Sequence, residues 1–198
     1  MNVATQVTRR VEIAGMQLIV LDGLFPDEDI RSLNKFLRDL PYQLNDITSN
    51  ETAYAKHWKA DFPPALAQGT PVLRDCIQTA RALMVGETYT LDRCYTNMIL
   101  YGDFQGPHID PPGGITALYY ANPEWNEQWL GETIFYDEQR QPVHAVGVKP
   151  GRLALFAAIS CIAPASRRAS ASSRDCRSHL RSCRVEQTST FALRTSHL

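Results

Sequence analysis

From residue 92 onward, apolar and polar residues alternate in short runs, cut apart by Gly, Pro, Asn and Asp. Successive side chains of an extended chain point to opposite faces, so a period of two is the mark of β-strands. In DRCYTNMILY (92–101), Arg93, Tyr95, Asn97, Ile99 and Tyr101 share one face, while Cys94, Met98 and Leu100 share the other. ITALYYAN (115–122), ETIFYDE (132–138), VHAVGV (143–148) and RLALF (152–156) follow, and STFALR (189–194) makes a last strand. Short strands at this spacing bury their apolar faces by closing into a sandwich or jelly roll.

The first half of the chain has a different rhythm. MQLIVLD (16–22) reads as a buried strand. PDEDIRSLNKFLRDL (26–40) reads as a helix whose Ile30, Leu33, Phe36, Leu37 and Leu40 form one apolar stripe. PVLRDCIQTARALMVG (71–86) reads as a second, with Val72, Leu73, Cys76, Ile77, Ala80, Leu83 and Met84 on its buried side. The segment NDITSNETAYAKHWKADFPP between them reads as a loop, in which Tyr54, His57 and Trp58 are solvated or belong to a substrate lid. The expectation is a single domain over 1–198, with a helical N-terminal part (1–90) and a β core (91–198).

Hydrophobic residues at 44% and charged residues at 21% fit a soluble globular domain. A net charge of -1 gives no reason to expect nucleic acid or an anionic membrane as partner. No apolar run approaches the roughly 20 residues that span a bilayer. The N-terminus lacks a continuous apolar core followed by a small-residue cleavage site, so a cytoplasmic protein is expected. Five cysteines without zinc-type spacing argue against a disulfide framework and a structural zinc site.

These averages hide an asymmetry. Residues 1–156 carry 13 Lys+Arg against 19 Asp+Glu, whereas residues 157–198 carry 7 against 2. Within that tail, residues 160–187 contain no aromatic residue, no glycine and one leucine, Leu180. The closing part of a compact domain does not normally have such a composition, and 157–187 is set apart as atypical.

Between two of the strands stands FQGPHIDPPGG (104–114), with His108 and Asp110 one residue apart. On an extended segment both side chains fall on one face, as a metal pair requires. The same pattern also suits a turn histidine hydrogen-bonded by Asp110. The surroundings favour the metal: the pair leaves one strand and enters a Gly/Pro turn before another, where ligands at a barrel mouth sit.

The stretch 97–156 resembles the core of the 2-oxoglutarate- and Fe(II)-dependent oxygenases of the prolyl 4-hydroxylase type. The features that carry the resemblance are Tyr-Gly followed by His-x-Asp, then ALYYAN, Asn-Pro-x-Trp, Trp-x-Gly-Glu-Thr and Lys-Pro-Gly-Arg-Leu-x-Leu-Phe. The resemblance implies a mainly β (α+β) fold, a double-stranded β-helix (jelly roll) core with supporting N-terminal α-helices. It implies a dioxygenase that hydroxylates an unactivated C–H of a peptidyl-prolyl, amino-acid or small natural-product substrate, consuming O2 and releasing succinate and CO2. Fe(II) and 2-oxoglutarate are the implied cofactors, with ascorbate as a candidate reductant. His108 and Asp110 would be two arms of a 2-His-1-carboxylate facial triad. Tyr101 and Tyr120 match positions that hold or flank the co-substrate, although Tyr120 can equally be a core residue whose hydroxyl meets a backbone carbonyl. Tyr95 and Asn97 share the face of Tyr101 and are candidates for the pocket lining. Trp125 and Trp129 read as structural.

The resemblance also demands a second histidine soon after the Gly-Arg-Leu-x-Leu-Phe strand, in a Leu-His-x-Val or Val-His-Arg setting. The corresponding place is near Cys161, in AAISCIAP, where there is no histidine. His144 lies on an earlier strand, His197 is terminal, and His179 sits inside the basic segment. Cys161 could ligate as a thiolate, at the cost of a different charge and softness. Arg174 and Arg184 are candidates for the base that would pair with the far carboxylate of 2-oxoglutarate. One expectation covers both anomalies: 157–187 is translated out of frame, and the frame returns before TSTFALR. If Ala158–Ala165 is encoded GCG ATA TCG TGC ATC GCG CCG GCG, the same string two nucleotides later reads Asp-Ile-Val-His-Arg-Ala-Gly. A catalytically degenerate jelly-roll binding domain is the competing reading.

Overall fold

The computed structural model describes residues 7–13, 15–46, 54, 56–83, 89–100, 103–110, 114–157, 161–164 and 186–195. The strands, in chain order, are β1 (Val7–Ile13), β2 (Met16–Leu21), β3 (Gln43–Asp46), β4 (His57–Phe62), β5 (Tyr89–Ile99), β6 (His108–Ile109), β7 (Gly114–Tyr120), β8 (Thr133–Tyr136), β9 (Pro142–Val146), β10 (Leu153–Ala157), β11 (Cys161–Pro164) and β12 (Glu186–Thr195). The helices are α1 (Asp27–Arg38), α2 (Pro64–Gly69) and α3 (Pro71–Leu83). An eight-stranded sheet runs β1-β2-β10-β7-β12-β5-β4-β3, and a four-stranded sheet runs β6-β11-β8-β9. The pairings within both are antiparallel.

The large sheet is covered on both faces, and its sequence shows why. In β2, Ile19 and Leu21 belong to one apolar cluster, while Leu18 and Val20 belong to another. In β7, Ala117 and Tyr119 face the first cluster and Leu118 and Tyr120 the second. In β10, Leu153 and Leu155 separate in the same way from Ala154 and Phe156. Strands buried on both faces must be apolar at every position, which turns alternation into continuous runs such as LIVL and LALF.

The first cluster takes up the helices. Ile30, Leu33 and Leu37 of α1 are buried, with Phe36 and Leu40 packed beside the cluster, as the stripe predicts. Asp27, Glu28 and Asp29 in the first turn and Lys35 and Arg38 in the last complement the helix dipole. Val72, Leu73, Cys76, Ile77, Thr79 and Ala80 form the buried side of α3. The second cluster lies between the sheets, where Phe135 of β8 meets Phe156 of β10 edge to face at 5.1 Å.

One expectation fails. The segment read as a loop contains β4, which pairs with β5, and is followed by α2. His57 is fully buried in that strand and belongs to no solvated loop. HWKADF alternates correctly, with Trp58, Ala60 and Phe62 on one side and His57, Lys59 and Asp61 on the other. The polar side conceals the pattern, because a strand is normally recognised by its apolar residues.

A second tie joins the ends of β2 and β10. Arg152 donates from Nε to Asp22 Oδ1 at 2.8 Å and from Nη2 to Oδ2 at 2.9 Å, and its Nη1 reaches the Gly147 carbonyl at 2.7 Å. The Arg152 hydrogen bond holds the Asp22 carboxyl below its usual range; burial pushes the other way, and Lys149 adds to the lowering. Between Lys149 and Arg152 the chain turns at Gly151 (φ +68°), where an added Cβ would lie 2.6 Å from Ile30 Cδ1.

Two predictions follow from this packing. Phe156→Ala should cost about 3–5 kcal/mol in urea denaturation, whereas Tyr119→Phe should be neutral or stabilising. The Tyr119 hydroxyl is buried with no hydrogen-bond partner among the described residues, so removing it leaves nothing unpaired. Because the folded-state pKa of Asp22 is depressed, its contribution is complete above the unfolded value of about 3.9 and fades as pH falls through the folded value. The acid limb of stability should therefore be shallower in Asp22→Asn than in the parent, measured by thermal melts from pH 6 down to pH 2.

Candidate metal site

Between the sheets, the lining changes along the large one. At β2, β10 and β7 it is apolar. At β4 and β5 the corresponding face carries Lys59, Asp61, Arg93, Tyr95 and Asn97, with Lys59 opposite Asn97 and Asp61 opposite Tyr95 in the ladder. Tyr95 is buried, and its ring is flanked by Lys59 Nζ at 4.8 Å and by the Arg93 guanidinium at 5.3 Å from its centroid. Asn97 is buried too, and its Oδ1 finds no partner among the described residues.

His108 and Asp110 border this polar half. Ile109 between them is 65% exposed, so the pair turns inward while Ile109 turns out. Asp110 is 7% exposed. Its Oδ2 accepts a 2.6 Å hydrogen bond from Thr116 Oγ1, and its Oδ1 lies 4.0 Å from His108 Nε2 and 3.8 Å from Arg93 Nη2. On the other side of the ring, His108 Nδ1 lies 3.0 Å from the Gly106 carbonyl. A carbonyl can only accept, so a proton of this contact sits on Nδ1, and Nε2 is the nitrogen turned toward Asp110. That orientation suits a metal ligand, and a backbone carbonyl on the far nitrogen is its usual support.

The pair has no third arm among the described residues. Among the described residues there is no group of three or more His, Cys, Asp or Glu that could hold a metal ion. The backbone of β11 lies beside β6, with Cys161 paired to Ile109 and Ile162 paired to His108. On the other side of β11, Ile162 pairs with Phe135, which pairs with His144 of β9. Positions 108, 162, 135 and 144 therefore form one row across the small sheet. His144 sits three strand spacings from His108, about 14 Å, too far to close a coordination sphere. Its pKa is lowered by burial, with a contribution from Arg9, and its ring lies against Phe135 at 6.5 Å.

Of the other candidates, Tyr120 is fully buried, with its hydroxyl 2.7 Å from Thr133 Oγ1 and donating to the Val146 carbonyl at 3.4 Å. Trp125 donates from Nε1 to the Leu130 carbonyl and meets Trp129 edge to face. Tyr101, Arg174 and Arg184 lie outside the described residues, and Cys161 is described through its backbone alone. Thr116, Lys59 and Arg93 were not singled out from the sequence as site residues. For Thr116 a signal existed: it shares the parity of Leu118 and Tyr120, and so the face turned toward Asp110.

No family model matches this chain, and no curated protein matches it by sequence. Solved structures do match in three dimensions. A prolyl-4-hydroxylase from Pseudomonas putida superposes with a TM-score of 0.62 at 15% identity, over 91% of this chain and 93% of that one. An oxidoreductase of the 2OG-Fe(II) oxygenase family from Burkholderia pseudomallei gives 0.65 at 10% identity, over 89% and 84%. HygX from Streptomyces hygroscopicus, with nickel and 2-oxoglutarate bound, gives 0.62 at 11%, over 91% and 84%. The chain is thus similar in fold to prolyl-4-hydroxylases and 2OG-Fe(II) oxygenases, as the sequence resemblance anticipates.

Proposed function

We propose that this chain is built as an Fe(II)- and 2-oxoglutarate-dependent dioxygenase on a jelly-roll core, and that its described residues hold two of the three metal arms. Strand order supports the jelly roll. From β5 to β12 the chain visits the large sheet, the small, the large, the small twice, the large, the small and the large again. That path interleaves two antiparallel sheets around one interior. The reaction class is hydroxylation of an unactivated C–H in a peptidyl-prolyl, amino-acid or small natural-product substrate, in the cytoplasm.

The observation that carries the metal reading is the His108–Asp110 pair, with Asp110 buried, His108 half-buried, and each braced by a hydrogen-bond partner of its own. Three arms leave an iron ion open positions for co-substrate and O2. Two arms fall short of that set, so the residues present fit a weakly held divalent ion. The competing reading, a degenerate binding domain, draws its support from the same missing arm.

Lys59 and Arg93 add a feature of their own. Both are cations at the polar end of the interior, and Arg93 already leans on Asp110. They favour a ligand that carries a carboxylate, which 2-oxoglutarate does at both ends.

Titration with Co(II), followed by its visible absorption, tests the pair directly. Weak binding is expected in the parent chain and none in Asp110→Ala. Thr116→Val should weaken binding by about 10- to 100-fold while leaving the far-UV circular dichroism unchanged. Identical titrations for all three proteins would remove the metal from this site. Succinate release with Fe(II) and 2-oxoglutarate separates the two readings: turnover above the Asp110→Ala background supports the oxygenase, and its absence supports the binding domain.

A further inference from the structure

We propose that the third arm belongs at position 162, and that it is missing because the stretch from about Ala158 to the start of β12 is translated in a shifted reading frame. This rests on the reading of His108 and Asp110 as metal ligands.

The first support is geometric. Residues paired across an antiparallel ladder occupy the same sheet face. Ile162 is the ladder partner of His108 on one side and of Phe135 on the other, and Phe135 is buried between the sheets. Position 162 is thus the place on β11 from which a side chain would complete the pair.

The second support is local chemistry. β11 runs between β6 and β8, yet its sequence is CIAP, with one β-branched residue and a terminal proline. Its ladder neighbour β8 reads TIFY, and β7 of the large sheet reads GITALYY, as strands should. Beyond β11 come the serines, arginines and cysteines of 166–184, and then the alternating residues of β12 resume. A composition break with intact strands on both sides is what a change of frame and its reversal produce.

The genetic code supplies a third support that needs no assumption about codon usage at most positions. Reading from the third base of each codon, the Cys161–Ile162 junction contributes the last base of a cysteine codon followed by the AT that opens every isoleucine codon. Cysteine codons end in T or C, so the shifted triplet is TAT or CAT, tyrosine or histidine. The triplet before it is the last base of the Ser160 codon followed by TG. Whatever that base is, the triplet encodes Leu, Val or Met. The shifted frame therefore places an apolar residue and then His or Tyr at the position facing His108, and a cysteine codon ending in C makes it His.

The test has two arms. The gene is sequenced from fresh genomic template across codons 150–190, and codon 161 is expected to be TGC. Ile162→His is then made in the chain as it stands, and Co(II) affinity is compared with the parent. A gain of at least about 100-fold is expected, as for adding a third site held on the same scaffold, and the gain should vanish in the Ile162→His, His108→Ala double variant. Codon TGT would overturn the frame change, whatever the variant does, since no histidine would then be hidden there. A folded Ile162→His protein with no gain would overturn the placement of the arm at 162. If, besides that, Asp110→Ala titrates like the parent, the metal reading itself falls. Should Ile162→His fail to fold, the gene still decides: a base gained or lost within codons 157–187 in the fresh sequence establishes the frame change, and an unaltered reading frame or TGT at codon 161 overturns it.

Discussion

The large sheet of this protein is buried on both faces, and most of its architecture follows from that constraint. A stretch with no solvent-facing side must be apolar throughout, as Leu18–Leu21 of β2, Ala117–Tyr120 of β7 and Leu153–Phe156 of β10 are. Each face then needs its own cover. α1 and α3 supply one through helical stripes, and the small sheet supplies the other through Phe135 and Val146. Where the inner face departs from this rule, at β4 and β5, the departure is systematic. Lys59, Arg93, Tyr95 and Asn97 are grouped there, next to Asp110. Tyr95 and Asn97 are buried there while Arg93 is exposed at the edge, and polar groups inside a core destabilise it unless they are paired.

His108 and Asp110 depend on this scaffold for more than position. The Gly106 carbonyl fixes a proton of His108 on Nδ1, and Thr116 occupies Oδ2 of Asp110. Each side chain thus has one atom engaged by the protein and one left toward the other. Arg93 at 3.8 Å from Oδ1 offsets part of the negative charge of a buried carboxylate.

Much of this was legible in the sequence, for physical reasons. The strands from β5 to β10 could be read because turn residues punctuate them. α1 and α3 could be read because each shows one apolar face to the core. The His-x-Asp pair could be read because a strand's period of two makes it geometrically meaningful. β4 could not, because its inner face is polar for the sake of the site, which removed the hydrophobic signal that normally announces a strand. Thr116 left only its parity with Leu118 and Tyr120 as a signal: within ITALYYAN it otherwise looks like an ordinary β-former, and the fold brings it to Asp110. β6 holds just His108 and Ile109, too short for any pattern.

The two kinds of interaction in β11 tolerate sequence change very differently. A ladder is made of backbone N–H and C=O groups, so CIAP still pairs with β6 and β8 although it is a poor strand sequence. Only proline subtracts a donor, and Pro164 stands at the strand's end. A coordination sphere is made of side chains, and no neighbour can stand in for a missing one. His144 lies in the same row of the small sheet and on the wrong strand. A change of sequence confined to such a strand can therefore leave the fold recognisable while altering every side chain the strand presents.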